Sequence, residues 1–155
     1  MARLILVLLV LLMSLGGCAS YQGGSRQRMD TFPEHYVQFD AALSWQVRRF
    51  GPDLVIDGQF QNLRYDNMND VEVWVAVIDP AGKTTARSVG LLLPSAIPLN
   101  GTAPFTVTLS AMPTPGSKLR FTYRYAALSG AGPEGGGDTG FWMQSFDANI
   151  PSSNE

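Results

Sequence analysis

Few residues in this 155-residue chain have the types and spacing that catalysis or cofactor binding requires. The run from Gly130 to Gly135 is a literal G-x-G-x-x-G, but a dinucleotide site needs that run between a strand and a helix. Pro133 interrupts it, and the strand-like Phe141-Trp142-Met143 follows it. We therefore interpret the segment as a hairpin loop. No serine lies in a Gly-x-Ser-x-Gly context, so the commonest hydrolase signature is missing.

Two other features invite a metal. Asp66-Asn67-Met68-Asn69-Asp70 offers oxygen ligands suited to calcium, but it lacks the fixed glycine and distal glutamate of an EF-hand loop. A turn built from Asx residues is our interpretation, with calcium as the alternative. His35 is the only histidine and Cys18 the only cysteine, so a multi-histidine or thiolate centre cannot form. We expect no metal centre, no cofactor and no enzymatic activity.

The N-terminus has the order of a secretory signal peptide. A basic start, Met1-Ala2-Arg3, precedes an apolar run from Leu4 to Met13 that is short for a transmembrane helix. Leu15-Gly16-Gly17-Cys18 follows and resembles the lipobox of bacterial lipoproteins. The resemblance implies removal of residues 1–17 and acylation of Cys18. Several acyl chains would anchor the mature protein firmly to a membrane.

The remaining chain divides into three parts. Residues 18–31 are small and polar and predict a flexible tether, residues 32–150 a β-sandwich domain, and residues 151–155 a disordered tail. Ala19 and Ser20 follow the cysteine. In lipoproteins of this kind, the absence of aspartate there implies the outer membrane, facing the periplasm. With 11 basic and 13 acidic residues, the chain is mildly acidic, which argues against nucleic acid as a partner.

The clearest strand lies between Val71 and Ile78. Four valines alternate there with Glu72, Trp74 and Ala76, the period of a half-buried strand, and Asp79-Pro80-Ala81-Gly82 supplies a turn. The same alternation recurs in segments that we also interpret as strands: 42–49, 54–61, 84–93, 105–109, 119–125 and 141–147. We expect polar loops at 62–70 and 97–104, the second turning at Asn100-Gly101. About seven or eight short strands without a helix predict an all-β, Ig-like antiparallel sandwich.

The middle of the chain resembles a known domain family. Ile56-Asp57-Gly58-Gln59-Phe60-Gln61-Asn62, then Val75 to Gly82, then Leu99-Asn100-Gly101 before Phe105-Thr106-Val107 follow the outline of the FxLYD domain. That small Ig-like domain occurs in bacterial lipoproteins. The resemblance covers about residues 54–109 and implies an extracytoplasmic module without catalytic residues. Its name-giving Phe, Leu and Tyr are replaced here by Val75, Val77 and Ile78.

Several residues in this stretch have structural roles in our interpretation. Gly58 within a strand indicates a bulge or a close approach of another backbone. Asn62 and Asp79 can bond nearby backbone groups at corners. Gly82 and Gly101 complete the two turns.

Trp74 is the strongest candidate for recognition. If the valines face the core, Trp74 points outward beside Glu72, while Arg120 and Arg124 point outward from their own strand. Tryptophan and arginine dominate interaction hot spots. The interpretation that we favour for Trp74 itself is that an N-terminal arm, with its aromatic residues Phe32, Tyr36 and Phe39, covers it. The leading hypothesis is a non-enzymatic module that binds another envelope protein, and the alternative is a glycan- or small-ligand-binding lipoprotein.

Overall fold

The computed structural model describes residues 29–129 and 138–151. Within these ranges the backbone forms one short 3-10 turn, Met29–Thr31, and nine β-strands. The strands are β1 Glu34–Val37, β2 Ala41–Phe50, β3 Asp53–Asn62, β4 Asn67–Ile78, β5 Thr84–Leu91, β6 Ala96–Pro98, β7 Thr102–Ser110, β8 Lys118–Ser129 and β9 Asp138–Asn149.

The strands form two antiparallel sheets. Sheet A has the order β1-β2-β3-β7, and sheet B has the order β5-β4-β8-β9 with β6 paired to the start of β4. The predicted all-β antiparallel sandwich is confirmed, with nine strands instead of seven or eight. The β2–β3 connection is a hairpin whose turn passes through Gly51 in the left-handed region, at φ 59°.

The core lies between the inward faces of the two sheets. From Val71 to Val77, every second residue of β4 is buried there, with Val71, Val73, Val75 and Val77 all at most 2 % exposed. Alternation with period 2 places these side chains on one face, and burying each stabilises the fold by roughly 1.5–3 kcal/mol. From β8, Leu119, Phe121, Tyr123 and Tyr125 complete the same layer.

The N-terminal segment packs against the outer face of sheet A. Ser44 and Gln59 are paired across β2 and β3 on that face, and both are buried. The Ser44 hydroxyl lies 3.8 Å from the sulfur of Met29 in the 3-10 turn. The 3-10 turn therefore belongs to the domain and not to the predicted tether of residues 18–31.

Three predicted boundaries are wrong. The expected loop 62–70 ends at Asp66, because residues 67–70 form the start of β4. A β-bulge lies between Asn69 and Glu72 of this strand. The expected loop 97–104 contains the last two residues of β6 and the start of β7. The strand predicted for 84–93 ends at Leu91. Leu92 turns inward while Leu93, before a cis peptide bond to Pro94, is exposed.

Candidate functional site

The strand registers show which residues lie side by side on the outer face of sheet B. On β4 and β8, Glu72 lies opposite Arg124 and Trp74 opposite Thr122. On β4 and β5, Trp74 lies opposite Val89. Residues directly opposite in an antiparallel pair project to the same face. The four residues of the predicted partner surface, Glu72, Trp74, Arg120 and Arg124, therefore share one face, together with Arg87 from β5.

Trp74 is held in place by two neighbours. The Arg87 guanidinium carbon lies 4.4 Å from the centroid of the indole ring, within the range of a cation–π contact. The indole N–H donates to Oε2 of Glu72 at 2.9 Å. Glu72 in turn pairs with Arg124, whose Nε lies 2.8 Å from Oε2 and whose Nη2 donates to Oε1 at 3.1 Å. The half-buried tryptophan is thus fixed in one orientation.

Arg120 belongs to a second ion pair on the same face. It donates to both carboxylate oxygens of Asp147 on β9, at 2.7 and 2.9 Å. The hydrogen bond with Arg120 holds the pKa of Asp147 below its ordinary value, and the same bond raises the pKa of Arg120. Both side chains are well exposed, so this pair adds little to stability. Its effect is to orient the guanidinium.

The N-terminal arm does not cover Trp74, so that interpretation is wrong. The arm contributes β1, which pairs with β2 in sheet A. Tyr36 stacks on Phe146 with 3.6 Å between ring centroids, and Phe39 lies under the Arg64 guanidinium. A shallow groove of about 270 Å³ lies beside the indole, and its lining includes Trp74, Arg120, Thr122 and Ser145.

The residues given structural roles occupy corners and close contacts. Asn62 is fully buried, and its side chain makes four hydrogen bonds. Its amide donates to the carbonyls of Tyr65 at 2.7 Å and Ile97 at 2.9 Å, and its oxygen accepts from the backbone N–H groups of Arg64 and Tyr65 at 3.0 Å each. Asn62 thereby ties the β3–β4 connection to β6.

Gly58 is a site of close approach. A Cβ there would lie 2.3 Å from Cζ of Phe105 and 2.5 Å from the carbonyl oxygen of Ser44. The β2–β3 and β3–β7 registers run past Gly58 without a shift, so the position is not a bulge. The ring of Phe105 occupies the space that any larger residue would need.

The two turns use their polar residues in different ways. The Asp79 carboxylate accepts from the backbone N–H of Lys83 at 2.9 Å, and Gly82 has φ 82°. In the other turn the left-handed residue is Asn100, at φ 59°, while the Gly101 N–H donates to the Pro98 carbonyl at 2.7 Å. Asparagine tolerates this backbone conformation better than most residues.

Sequence reasoning missed two features. Arg87 was not singled out, although its alternation with Val89 and Leu91 on β5 was a usable signal. The second feature is a buried Asp40, whose carboxyl oxygens accept from the hydroxyls of Tyr123 at 2.8 Å and Tyr125 at 2.6 Å. The sequence around Asp40 gives no local signal for this role.

Other predictions fall partly or wholly outside the described residues. Cys18, the signal peptide and most of the tether lie outside, as do residues 130–137 of the glycine-rich run and residues 152–155 of the tail. In residues 29–129 and 138–151, no group of three or more His, Cys, Asp or Glu side chains is placed to hold a metal ion. The same ranges contain no helix that is long and apolar enough to span a membrane.

No family model matches the chain, and no curated protein matches it. One similar solved structure is the Northeast Structural Genomics Consortium target SoR45, at 16 % identity and a TM-score of 0.42 over 75 % of this chain and 91 % of that one. Another is a beta-glucuronidase from glycoside hydrolase family 2, at 15 % identity and a TM-score of 0.36. That likeness covers 76 % of this chain but 11 % of the glucuronidase.

Proposed function

We propose that this chain is a lipid-anchored envelope protein whose β-sandwich is a non-enzymatic protein-interaction module. Its docking surface is the outer face of sheet B around Trp74, Glu72, Arg120 and Arg124. The observation that carries the proposal is the fixed orientation of Trp74 between Arg87 and Glu72. An aromatic side chain that is already ordered loses little conformational entropy when a partner binds.

The charge of this face indicates the chemistry of the partner. The registers place Arg87, Lys118, Arg120 and Arg124 on the outer face with the carboxylates of Glu72 and Asp147, and exposed Asp70 lies at its border beside Arg124. The face is therefore basic, although the chain as a whole has a net charge of −2. Complementary potentials favour a partner with an acidic patch around an apolar centre. Acylation of Cys18 would keep the domain within reach of proteins at the periplasmic face of the outer membrane.

In-cell photocrosslinking tests the proposal. A photoreactive amino acid replaces Val89, which lies directly opposite Trp74, or Lys118, which lies on the same face opposite Ile78. The matched control carries it at Thr108, an exposed position on the outer face of sheet A. We expect one discrete protein adduct from the two sheet B positions and none from Thr108.

Substitutions then test which side chains of this chain contact the crosslinked partner. Trp74→Ala, Arg120→Ala and Arg124→Ala should each remove most of the adduct while circular dichroism and the melting temperature show a folded domain. An adduct that survives all three substitutions, or that forms equally from Thr108, rejects this surface. Repeating the experiment with Cys18→Ala separates the docking surface from the anchor, because loss of acylation should lower the yield without changing the partner.

The groove beside Trp74 favours glycan binding as a second candidate. Its lining combines an indole with the hydroxyls of Thr122 and Ser145. These hydroxyls already bond each other at 2.8 Å, and Arg87 covers one ring face, so a sugar would have to displace existing contacts. Titration of the acylated full chain with soluble peptidoglycan fragments, followed by tryptophan fluorescence, tests this candidate. The absence of a saturable change would count against it.

A further inference from the structure

Strand β9 is a long sheet edge without a described partner on its outer side. It runs from Asp138 to Asn149, and β8 is the one described strand that pairs with it. Their register is continuous over the whole length, whereas the pairings of β4 with β5 and with β8 both contain shifts. A regular edge presents a row of backbone N–H and C=O groups that can bond another strand.

The other sheet edges are protected. β1 has only four residues. β5 and β7 close against each other, because a Cβ on Gly90 of β5 would lie 2.8 Å from the Thr106 carbonyl of β7. Short edges and covered edges are two ways in which natural sheets avoid uncontrolled pairing. Among the described strands, β9 is the edge that lacks such protection.

The sequence of β9 also lacks residues that discourage pairing at a sheet edge. Between Thr139 and Phe146 it has no charged residue and no proline. Phe141 and Met143 are 83 % and 68 % exposed on the outer face, side by side at alternate positions. The next carboxylate, Asp147, is already engaged by Arg120. Exposed apolar side chains on an uncharged, regular edge predict that another strand adds there.

We propose that the occupant is a second copy of this chain, paired antiparallel through β9 about a twofold axis near Trp142. In that register Phe141 lies opposite Met143 of the second copy, and Met143 lies opposite Phe141 of the second copy. Four exposed apolar side chains then pack together without opposing any charge. A twofold interface needs a self-complementary surface, and this stretch of β9 supplies one.

The axis of such a dimer runs perpendicular to sheet B. The two sheets therefore join into one, and the Trp74 surfaces of both copies face the same direction. Pairing over roughly 30 Å of strand makes an interface smaller than the ~800 Å² per partner of standard stable complexes. We therefore expect a weak, reversible dimer. This inference does not depend on the proposed partner or on acylation of Cys18.

Engineered disulfides test the register. Two differently tagged full-length copies are co-expressed, one with Phe141→Cys and the other with Met143→Cys. Directly opposite residues of an antiparallel pair have Cα atoms about 4.5–5.5 Å apart, within the range of a disulfide. The matched control pairs Phe50→Cys with Met112→Cys, two positions that are exposed to a similar degree at 79 % and 81 %. A further control uses two tagged copies in which Cys18 is the only cysteine, and it measures any crosslinking through that residue.

We expect at least tenfold more mixed disulfide from the β9 pair than from the control pair. Co-purification of the two tagged copies should fall at least fivefold with Met143→Lys and also with Phe141→Lys. Because both side chains are exposed, these substitutions should leave the domain folded. Failure of the copies to co-purify overturns the proposal, as does co-purification that both lysine variants leave unchanged. The proposal is also overturned if the cysteine of Met143→Cys forms a disulfide with a different protein and no mixed disulfide forms between the two tagged copies.

Discussion

The Tyr125 hydroxyl donates to Oδ2 of Asp40 at 2.6 Å in the interior of the sandwich. Tyr123 donates to the other carboxyl oxygen at 2.8 Å, and Asp40 itself is fully buried. Asp40 follows β1 in sheet A, whereas both tyrosines belong to β8 in sheet B. One carboxyl group therefore joins the two sheets, and its two oxygens satisfy two buried hydroxyls that would otherwise lower stability.

Removing either hydroxyl should destabilise the domain. Tyr125→Phe and Tyr123→Phe each leave an oxygen of Asp40 without its donor, a penalty of about 1–3 kcal/mol for a buried polar group. Chemical denaturation measures the loss. Tyr36→Phe is the matched control, because Tyr36 contributes through ring stacking on Phe146 rather than through a described hydroxyl bond. Equal stability of the Tyr125→Phe and Tyr36→Phe variants would contradict the role of Asp40.

The same tyrosines should make the fold sensitive to alkali. Burial, and then the bond to Asp40, raise the pKa of Tyr123 and of Tyr125 far above the ordinary value. In the unfolded chain tyrosine ionises near pH 10, so above that pH the unfolded state loses protons that the folded state keeps. The free energy of unfolding should be unaffected by these groups below about pH 9 and should then fall, by about 1.4 kcal/mol per pH unit for each tyrosine.

Denaturation between pH 8 and pH 11 measures this slope. The Tyr123→Phe/Tyr125→Phe double variant, if it folds, should show a shallower decline, and the single variants provide the test if it does not. Absorbance of the wild-type chain at 295 nm should show that at least two of its five tyrosines stay protonated until unfolding. Ionisation of all five tyrosines in the folded protein would contradict the prediction.

Gly58→Ala should destabilise the fold by about 2–3 kcal/mol, because the added methyl group meets Phe105 and the Ser44 carbonyl at less than contact distance. Phe105→Leu removes the nearer of the two atoms. The double variant should therefore lose less than the sum of the single variants, although the Ser44 clash remains. Additive losses in a double-mutant cycle would show that the ring of Phe105 is not the reason for glycine.

Arg87→Ala should release Trp74 from its fixed orientation. The guanidinium shields one face of the indole, so its loss should raise the acrylamide quenching constant of tryptophan fluorescence. The change should come from Trp74, because Trp45 is only 2 % exposed and Trp142 packs against Tyr65. Arg49→Ala, an exposed arginine on β2, is the control. Unchanged quenching in the Arg87 variant would mean that Arg87 does not shield the ring.

Much of the architecture could be predicted from the sequence alone. The valines of β4 and the alternation in β3, β7 and β8 specify which side chains are buried, because side chains of a strand project alternately to its two faces. Asn62, Asp79 and Gly82 were predictable for a related reason, since these residue types favour corners and turns through local bonds. Local physics sufficed wherever neighbours in the chain determine the structure.

Strand ends and contacts between strands could not be predicted in this way. Asn67–Asp70 reads as a polar loop, yet pairing with β6 and β8 makes it a strand. Gly58 is required by a ring that lies 47 residues further along the chain, on the neighbouring strand. Asp40 carries no local signal for its role, because its tyrosine partners are separated from it by 83 and 85 residues.

The candidate surface shows the same division. Alternation alone placed Trp74 and Glu72 on one side of β4, and Arg120 and Arg124 on one side of β8. Only the registers decided that those two sides coincide, that Arg87 covers the indole, and that the N-terminal arm packs on the other sheet. A periodic pattern determines the faces of each strand, whereas the neighbour that each face meets depends on pairing between segments that are distant in sequence.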